Sequence, residues 1–314
     1  MPFVCKECRE SFRTERSLHA HIKKHGILLS EYYTTHYPRF NKLTGDPLPF
    51  KNKSDYFAKD FSTYQQMIKW SKKAPQAELK SYILKQLKNR IDSKGLQKAP
   101  NHLEIQLNKL PPLKLFKEVY GSYSAVCEEL NVSPLFDKGI MKQFFVEDEK
   151  LKDIHIFIDT REQKPLKFDN SSVMKLDFGD YTTGGANYSY TYIDRKSESD
   201  FKSTLSTGVT RFKNEIQRAK DFDSYIFVVI ESSIDKIKKG NLFGPHKSNS
   251  GYIWHNMREI THEFNGYCQF VFSGSREASE WLVPRLLRHG KDLWQVDLQY
   301  YLDSYGMGNR TAKH

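Results

Sequence analysis

The sequence predicts an α/β protein, a mixed sheet with helices on its faces, preceded by a small ββα module and a helical region. Three observations predict it. Beyond about residue 150, short β-branched and aromatic runs alternate with stretches of helical period. Within the first 25 residues, two cysteines and two histidines are spaced C-x2-C-x12-H-x3-H. Between these regions, apolar residues recur at helical spacing among many lysines.

The first module contains Cys5, Cys8, Phe12, Leu18, His21 and His25. Two thiolates on a turn and two imidazoles one helical turn apart can close a tetrahedron around Zn2+. Phe12 and Leu18 fall where so small a fold needs its core. A segment this short cannot fold on apolar burial, so the metal supplies the folding energy. Counted back from His21, the usual base-reading positions hold Thr14, Ser17 and Ala20. None offers the bidentate contact by which Arg reads guanine or Asn reads adenine. Arg13, Arg16, Lys23 and Lys24 suit phosphates instead, so the finger reads as a docking element of little sequence specificity.

Residues 27–53 are rich in aromatics and prolines, including Tyr32, Tyr33, Tyr37 and Phe40. They form an ordered extension that packs on something rather than a Gly/Ser linker. From Ser54 to about Ser93 the period is helical. Phe61, Tyr64 and Ile68 make one apolar stripe; Leu79, Tyr82, Ile83 and Leu87 make another. The lysines opposite have few acidic partners, which favours phosphate contact. Further on, Gly121 ends one helix and Ser122 caps the next, giving a unit like a helix-turn-helix. The segment around Tyr120-Gly121-Ser122-Tyr123 resembles repeats that accompany phage and intron-encoded homing endonucleases, with Tyr120 in place of their Phe.

After the acidic 147–149 come strands at 154–159, 173–176, 190–195, 225–230 and 268–272. Helices are expected at about 200–219, 252–264 and 276–288. A Gly/Ser/Asn-rich surface loop is expected at 241–251. Gly179-Asp180-Tyr181 is followed, after a hairpin through Gly184-Gly185, by Asp194-Arg195-Lys196. A carboxylate, a short gap, then carboxylate-x-lysine is a common arrangement in metal-dependent nucleases. The acids hold a hard divalent cation, and the lysine faces phosphate or water.

With Asp159-Thr160-Arg161-Glu162 upstream and Asp200 downstream, the pattern resembles the XPF-type nuclease domain of the PD-(D/E)XK superfamily. The resemblance covers residues 151–290. One position departs from that pattern: Asp194 stands where a glutamate is usual, with a side chain shorter by one methylene. The resemblance implies catalytic roles for Asp159, Glu162, Asp180, Asp194 and Lys196. It implies Mg2+ or Mn2+ at Asp180 and Asp194, completed by Asp159, phosphate or acid contacts for Arg161 and Arg195, and DNA contacts for Arg161 and Arg211. It also implies a homodimer through the nuclease module. Strand alternation sends Arg195 to the face opposite Asp194 and Lys196, so a structural ion pair is expected there at least as readily as a phosphate contact.

The expected modules are a finger at 1–26, the extension at 27–53, a basic helical DNA-binding region at 54–147, the nuclease at 148–290 and a tail at 291–314. A net charge of +11 and a pI near 9.2 favour an acidic polymer, here double-stranded DNA. No apolar run approaches the ~20 residues that cross a bilayer, and no signal-peptide core opens the chain, so a soluble intracellular protein is expected. Cys127 and Cys268 read as buried thiols. No nucleotide-binding P-loop is present and the tail is too short for tandem helical hairpins. The expected function is a site-directed endonuclease of the phage homing type. The alternatives are a structure-selective nuclease for branched DNA and a catalytically inactive DNA-binding protein.

Overall fold

The computed structural model describes residues 2–146, 151, 153–240 and 250–306. They fall into two compact units, Met1–Lys94 with Leu115–Gly121, and Gly95–Lys114 with Ser122–His314.

In the first unit, β1 (Phe3–Val4) pairs antiparallel with β2 (Ser11–Phe12), and α1 (Glu15–Lys24) follows. Thr14 caps α1 by accepting from the Ser17 amide. Cys5, Leu18 and Ile22 make the finger's core, with Phe12 partly buried against it. That core is completed from outside the finger. Helix α2 (Leu29–His36) lays Tyr32 and Tyr33 into it, and Tyr33 stacks on Phe50 at 5.6 Å. The aromatic extension therefore packs on the finger.

Helices α3 (Lys53–Ala58), α4 (Tyr64–Ser71) and α5 (Gln76–Lys94) follow. Phe61, Leu79, Tyr82, Ile83 and Leu87 are buried as their spacing predicts. On α4 the stripe differs. Met67 and Trp70 are buried, while Tyr64 and Ile68 are only partly covered. The reason is that α4 starts at Tyr64, capped by Thr63 and Gln66, so Phe61 lies before it and does not continue its face. Trp70 instead meets Tyr82 at 5.1 Å and Phe61 at 5.2 Å.

In the second unit, β3 (Lys98–Ala99) pairs with β4 (Ser133–Pro134), and α6 (His102–Leu107) lies between them in sequence. Helix α7 (Leu113–Tyr120), which belongs to the first unit from Leu115 on, stops at Gly121, whose φ of +83° suits glycine. Ser122 then caps α8 (Tyr123–Glu129). The chain passes between the two units at this Gly-Ser step.

A six-stranded sheet centres the second unit. It comprises β5 (Ile156–Asp159), β6 (Ser171–Met174), β7 (Tyr181–Thr183), β8 (Thr191–Lys196), β9 (Tyr225–Ile230) and β10 (Cys268–Phe272). The order is β10-β9-β8-β7-β5-β6, with β7 antiparallel to both neighbours and the other pairs parallel. The expected α/β fold with a mixed sheet is what forms.

The single helix expected at 200–219 is two helices, α9 (Glu198–Thr204) and α10 (Val209–Asp221). Between them the Ser206 and Thr207 hydroxyls donate back to Lys202 and Ser203 carbonyls, and the Gly208 amide donates to Ser203 O. Side chains that bond the preceding turn compete with helix continuation.

Helices α11 (Ile234–Gly240), α12 (Ser250–Glu263), α13 (Arg276–His289) and α14 (Leu298–Ser304) complete the unit. One sheet face, with Tyr192, Ile226 and Val228, packs on Phe212 and Ile216 of α10 and Met257 of α12. The other, with Ile193, Phe227 and Val229, packs on Leu282 and Leu286 of α13 and Leu298 and Leu302 of α14. Residues up to Leu302 thus belong to the sheet's core. Cys127 and Cys268 are fully buried, and burial pushes the Cys127 thiol up to about 12. The 147–149 link and residues 241–249 of the expected loop lie outside the described residues. No helix among the described residues is long and apolar enough to cross a membrane.

Candidate active site

Strand β8 creates the site by alternation. Tyr192, Asp194 and Lys196 share one face, and Ile193 and Arg195 point to the other. Asp194 is 4% exposed. Its Oδ1 accepts from Lys196 Nζ at 2.7 Å, and its Oδ2 is buried with no hydrogen-bond partner among the described residues.

Gly179 brings the second acid alongside. Its φ is +56°, and a Cβ there would meet the Ile193 carbonyl oxygen at 2.7 Å. Only glycine lets this turn press so closely on β8. The Asp180 amide donates to Ile193 O at 2.7 Å, and Asp180 Oδ2 accepts from the Arg195 amide at 2.7 Å. Burial and the neighbouring Asp194 charge raise the Asp180 pKa well above the carboxylate range, against the opposing pull of Lys196. Burial would lower the Lys196 pKa, but the Asp194 carboxylate outweighs it and holds the ammonium charged.

The structure therefore brings Asp180, Asp194 and Lys196 together. The other two residues of the expected catalytic set are held by arginines. Asp159, 1% exposed, accepts from the Arg161 amide and guanidinium and, at 2.7 Å, from the Leu176 amide. Burial would raise its pKa; these bonds overcome that and lower it. Both Glu162 oxygens accept from Arg195 at 3.0 Å. Burial is again outweighed there, and Glu162 stays below its ordinary value. Arg195 also donates to Glu231, which Arg276 holds in turn. The ion pair expected of Arg195 is thus a network on the far face of β8. Arg161 leaves most of its side chain exposed, Arg211 is exposed on α10, and Asp200 accepts from Ser197 at the cap of α9.

Sequence reasoning misses Glu215. It sits on the stripe of α10 that also carries the buried Phe212 and Ala219. Its Oε1 accepts from the Gly179 amide at 3.3 Å, and its charge acts on Lys196 and Arg161. An acid on an inward helical stripe is the signal that marks it.

In the finger, ligand atoms of Cys5, Cys8, His21 and His25 all lie within 4.8 Å of one another. Cys8 Sγ is 3.1 Å from His21 Nε2, which is 2.9 Å from His25 Nε2. A tetrahedron with arms of ~2.0–2.3 Å has edges of roughly 3.3–3.8 Å, close to this arrangement. The Glu10 carboxylate lies 3.6 Å from His21 Nδ1.

No protein-family model and no curated protein matches this sequence. Among solved structures the chain is similar to XPF from Aeropyrum pernix in complex with DNA, at 16% identity and a TM-score of 0.33, over 43% of this chain and 64% of that one. It is also similar to XPF from Aeropyrum pernix at 17% identity and a TM-score of 0.34, over 48% and 73% of the two chains. The chain thus spans just under two thirds of the first structure. Likenesses at this level decide nothing about activity.

Proposed function

We propose that this chain is a divalent-metal-dependent DNA endonuclease of the XPF type, with zinc in its finger. The observation that carries the reading is the Asp194 carboxylate, one oxygen on Lys196 and the other buried and unpartnered beside Asp180. A buried carboxylate oxygen without a donor is costly unless a cation occupies it. Two carboxylates suit Mg2+ or Mn2+, which prefer oxygen ligands. Asp180 and Asp194 would hold that ion. When bound, it supplies a Lewis acid for a phosphoryl oxygen and lowers the pKa of its water.

The chain's own groups do the rest. Lys196 presents a positive charge where a phosphodiester gains negative charge during attack. Asp159 holds the strand end through Arg161 and the Leu176 amide. Glu162 and Glu231 fix Arg195, whose amide aims Asp180. These are positioning residues.

Cutting at branched DNA, rather than at a fixed sequence, is favoured by one observation. Thr14 and Ser17 hydroxyls bond each other at 2.8 Å in the α1 cap, and Ala20 has no polar group. The finger therefore has little with which to read bases. Linear and branched duplexes incubated with Mg2+ or Mn2+ test both readings. The enzyme reading fails if wild type and Asp180→Ala behave alike on every DNA. The branched reading fails if a linear site is cut preferentially.

A further inference from the structure

The charge of this protein is segregated by unit. The first unit, Met1–Lys94 with Leu115–Gly121, holds 20 Lys and Arg against 10 Asp and Glu. The second holds 29 against 28. So +10 of the net +11 lies in about a third of the chain, and the unit with the acid-lysine site is almost neutral.

Within the first unit, ion pairing sharpens this excess. The finger's three acids all have basic or imidazole partners: Glu7 meets His36, Glu10 meets His21, and Glu15 meets His19 and Lys53. Arg13, Arg16, Lys23 and Lys24 are exposed and make no ion pair among the described residues. Arg16, Ala20, Lys23 and Lys24 follow helical spacing on α1, so these three cations share its outward side, and Arg13 precedes the Thr14 cap. Tyr32 and Tyr33 cover the opposite side, where Leu18 and Ile22 are buried. The small residues at Ser17 and Ala20 leave the stripe low enough for a phosphate backbone to approach.

We infer that Arg13, just before α1, and Arg16, Lys23 and Lys24 on the outward stripe of α1 form a sequence-independent docking surface for the phosphate backbone of duplex DNA. This stripe, with the other lysines of the first unit, supplies most of the chain's salt-dependent affinity, and the nearly neutral second unit contributes little. The inference rests on the proposed nucleic-acid reading for its choice of polymer; the charge complementarity is the chain's own. Backbone docking without base readout leaves the cut position to the second unit.

The test uses the full chain loaded with zinc, with Arg13, Arg16, Lys23 and Lys24 all replaced by Gln. A control replaces Lys138, Lys142, Lys236 and Lys291, exposed in the second unit, by Gln. Binding to a fluorescent random-sequence duplex is followed by anisotropy across a KCl series. Each lost phosphate contact flattens the log–log salt slope by about one. The finger set should flatten it by about three to four and weaken binding at low salt at least tenfold, and the control should move neither. Equal effects of the two sets, or no effect of the finger set, overturn the inference. If the finger set behaves as expected while wild type with Mg2+ or Mn2+ cuts no DNA, the docking surface stands and the nuclease reading falls.

Discussion

Asp194 gives one carboxylate oxygen to Lys196 at 2.7 Å and keeps the other buried without a partner. A buried carboxylate oxygen so placed costs stability unless a cation or another donor takes its free side. Asp194→Asn keeps the size but removes the charge. Cleavage should fall by about three orders of magnitude, the scale of losing charge stabilisation at a reacting phosphate. Mn2+ binding, followed by electron paramagnetic resonance, should fall with it. Asp194→Glu, which lengthens the acid by one methylene and keeps its charge, should keep measurable activity. Unchanged Mn2+ binding in Asp194→Asn would remove Asp194 from the metal site.

Asp180 makes a stability prediction of opposite sign. Its folded pKa is raised, chiefly by burial and then by Asp194. A carboxyl raised above its unfolded value of about 3.9 contributes stability below that pH, which is lost as pH rises through the folded value. At pH 7, above the unfolded value, the metal-free protein has therefore lost part of that stability. Asp180→Asn should stabilise it there by about 0.5–2 kcal/mol, as removal of a destabilised active-site group commonly does. The same change should abolish cleavage. Thermal denaturation of both proteins in chelator at pH 4 and pH 7 checks this: the gain should appear only at the higher pH.

Arg195 is the link whose loss should cost most. It holds both Glu162 oxygens and one of Glu231, and its side chain is 9% exposed. Arg195→Ala leaves buried carboxylates uncompensated, which costs about 3–5 kcal/mol. Glu162 has a depressed pKa through this arginine, so its contribution is present above about pH 4.3 and lost as pH falls through the depressed value. The damage should thus be greatest at neutral pH and shrink in acid. Adding Glu162→Gln should recover part of it. Urea denaturation across pH measures both effects.

The central strands and the finger were legible because their signals are local. Ile226 to Ile230 form an unbroken apolar run, buried on both faces between two helical layers. The Cys and His spacing states its own geometry. Asp180 and Asp194 were legible as a pair because a hairpin joins their strands. What was hidden depends on which partner wins a side chain. Asp159 and Glu162 carry the same charge as Asp194, yet arginines take them, and nothing in their spacing announces that. Glu215 is 35 positions from Asp180 in sequence and reaches the Gly179 turn only because the Ser206–Gly208 break starts a new helix. Likewise, Tyr32 and Tyr33 announce packing but not that the finger is what they pack on.

The finger makes a prediction that depends on this shared core. Cys5, Leu18 and Ile22 alone are too few to fold the segment, and Tyr32 and Tyr33 join them from α2. Removing the metal should therefore unfold more than the finger. In Cys5→Ala or after chelation, hydrogen exchange should rise across residues 3–36, not only across 3–25. Protection of α2 that survives metal loss would show that it folds without the finger.

Glu215 is the residue by which the site can be dissected. It accepts from the Gly179 amide at 3.3 Å, and it is one of the charges that keep Lys196 protonated. Lys196 has a raised pKa because Asp194, with Asp180 and Glu215 behind it, outweighs burial. Glu215→Gln keeps an acceptor for Gly179 but removes the charge, whereas Glu215→Leu removes both. Losing the charge lets burial count for more, so the Lys196 pKa should move down. The alkaline limb of the cleavage profile should shift to lower pH in Glu215→Gln, with Mn2+ affinity changed less than tenfold. Glu215→Leu should show the same shift and a further loss of Mn2+ affinity, because the turn that aims Asp180 is no longer held. A Glu215→Gln profile that overlays wild type would confine Glu215 to holding the turn.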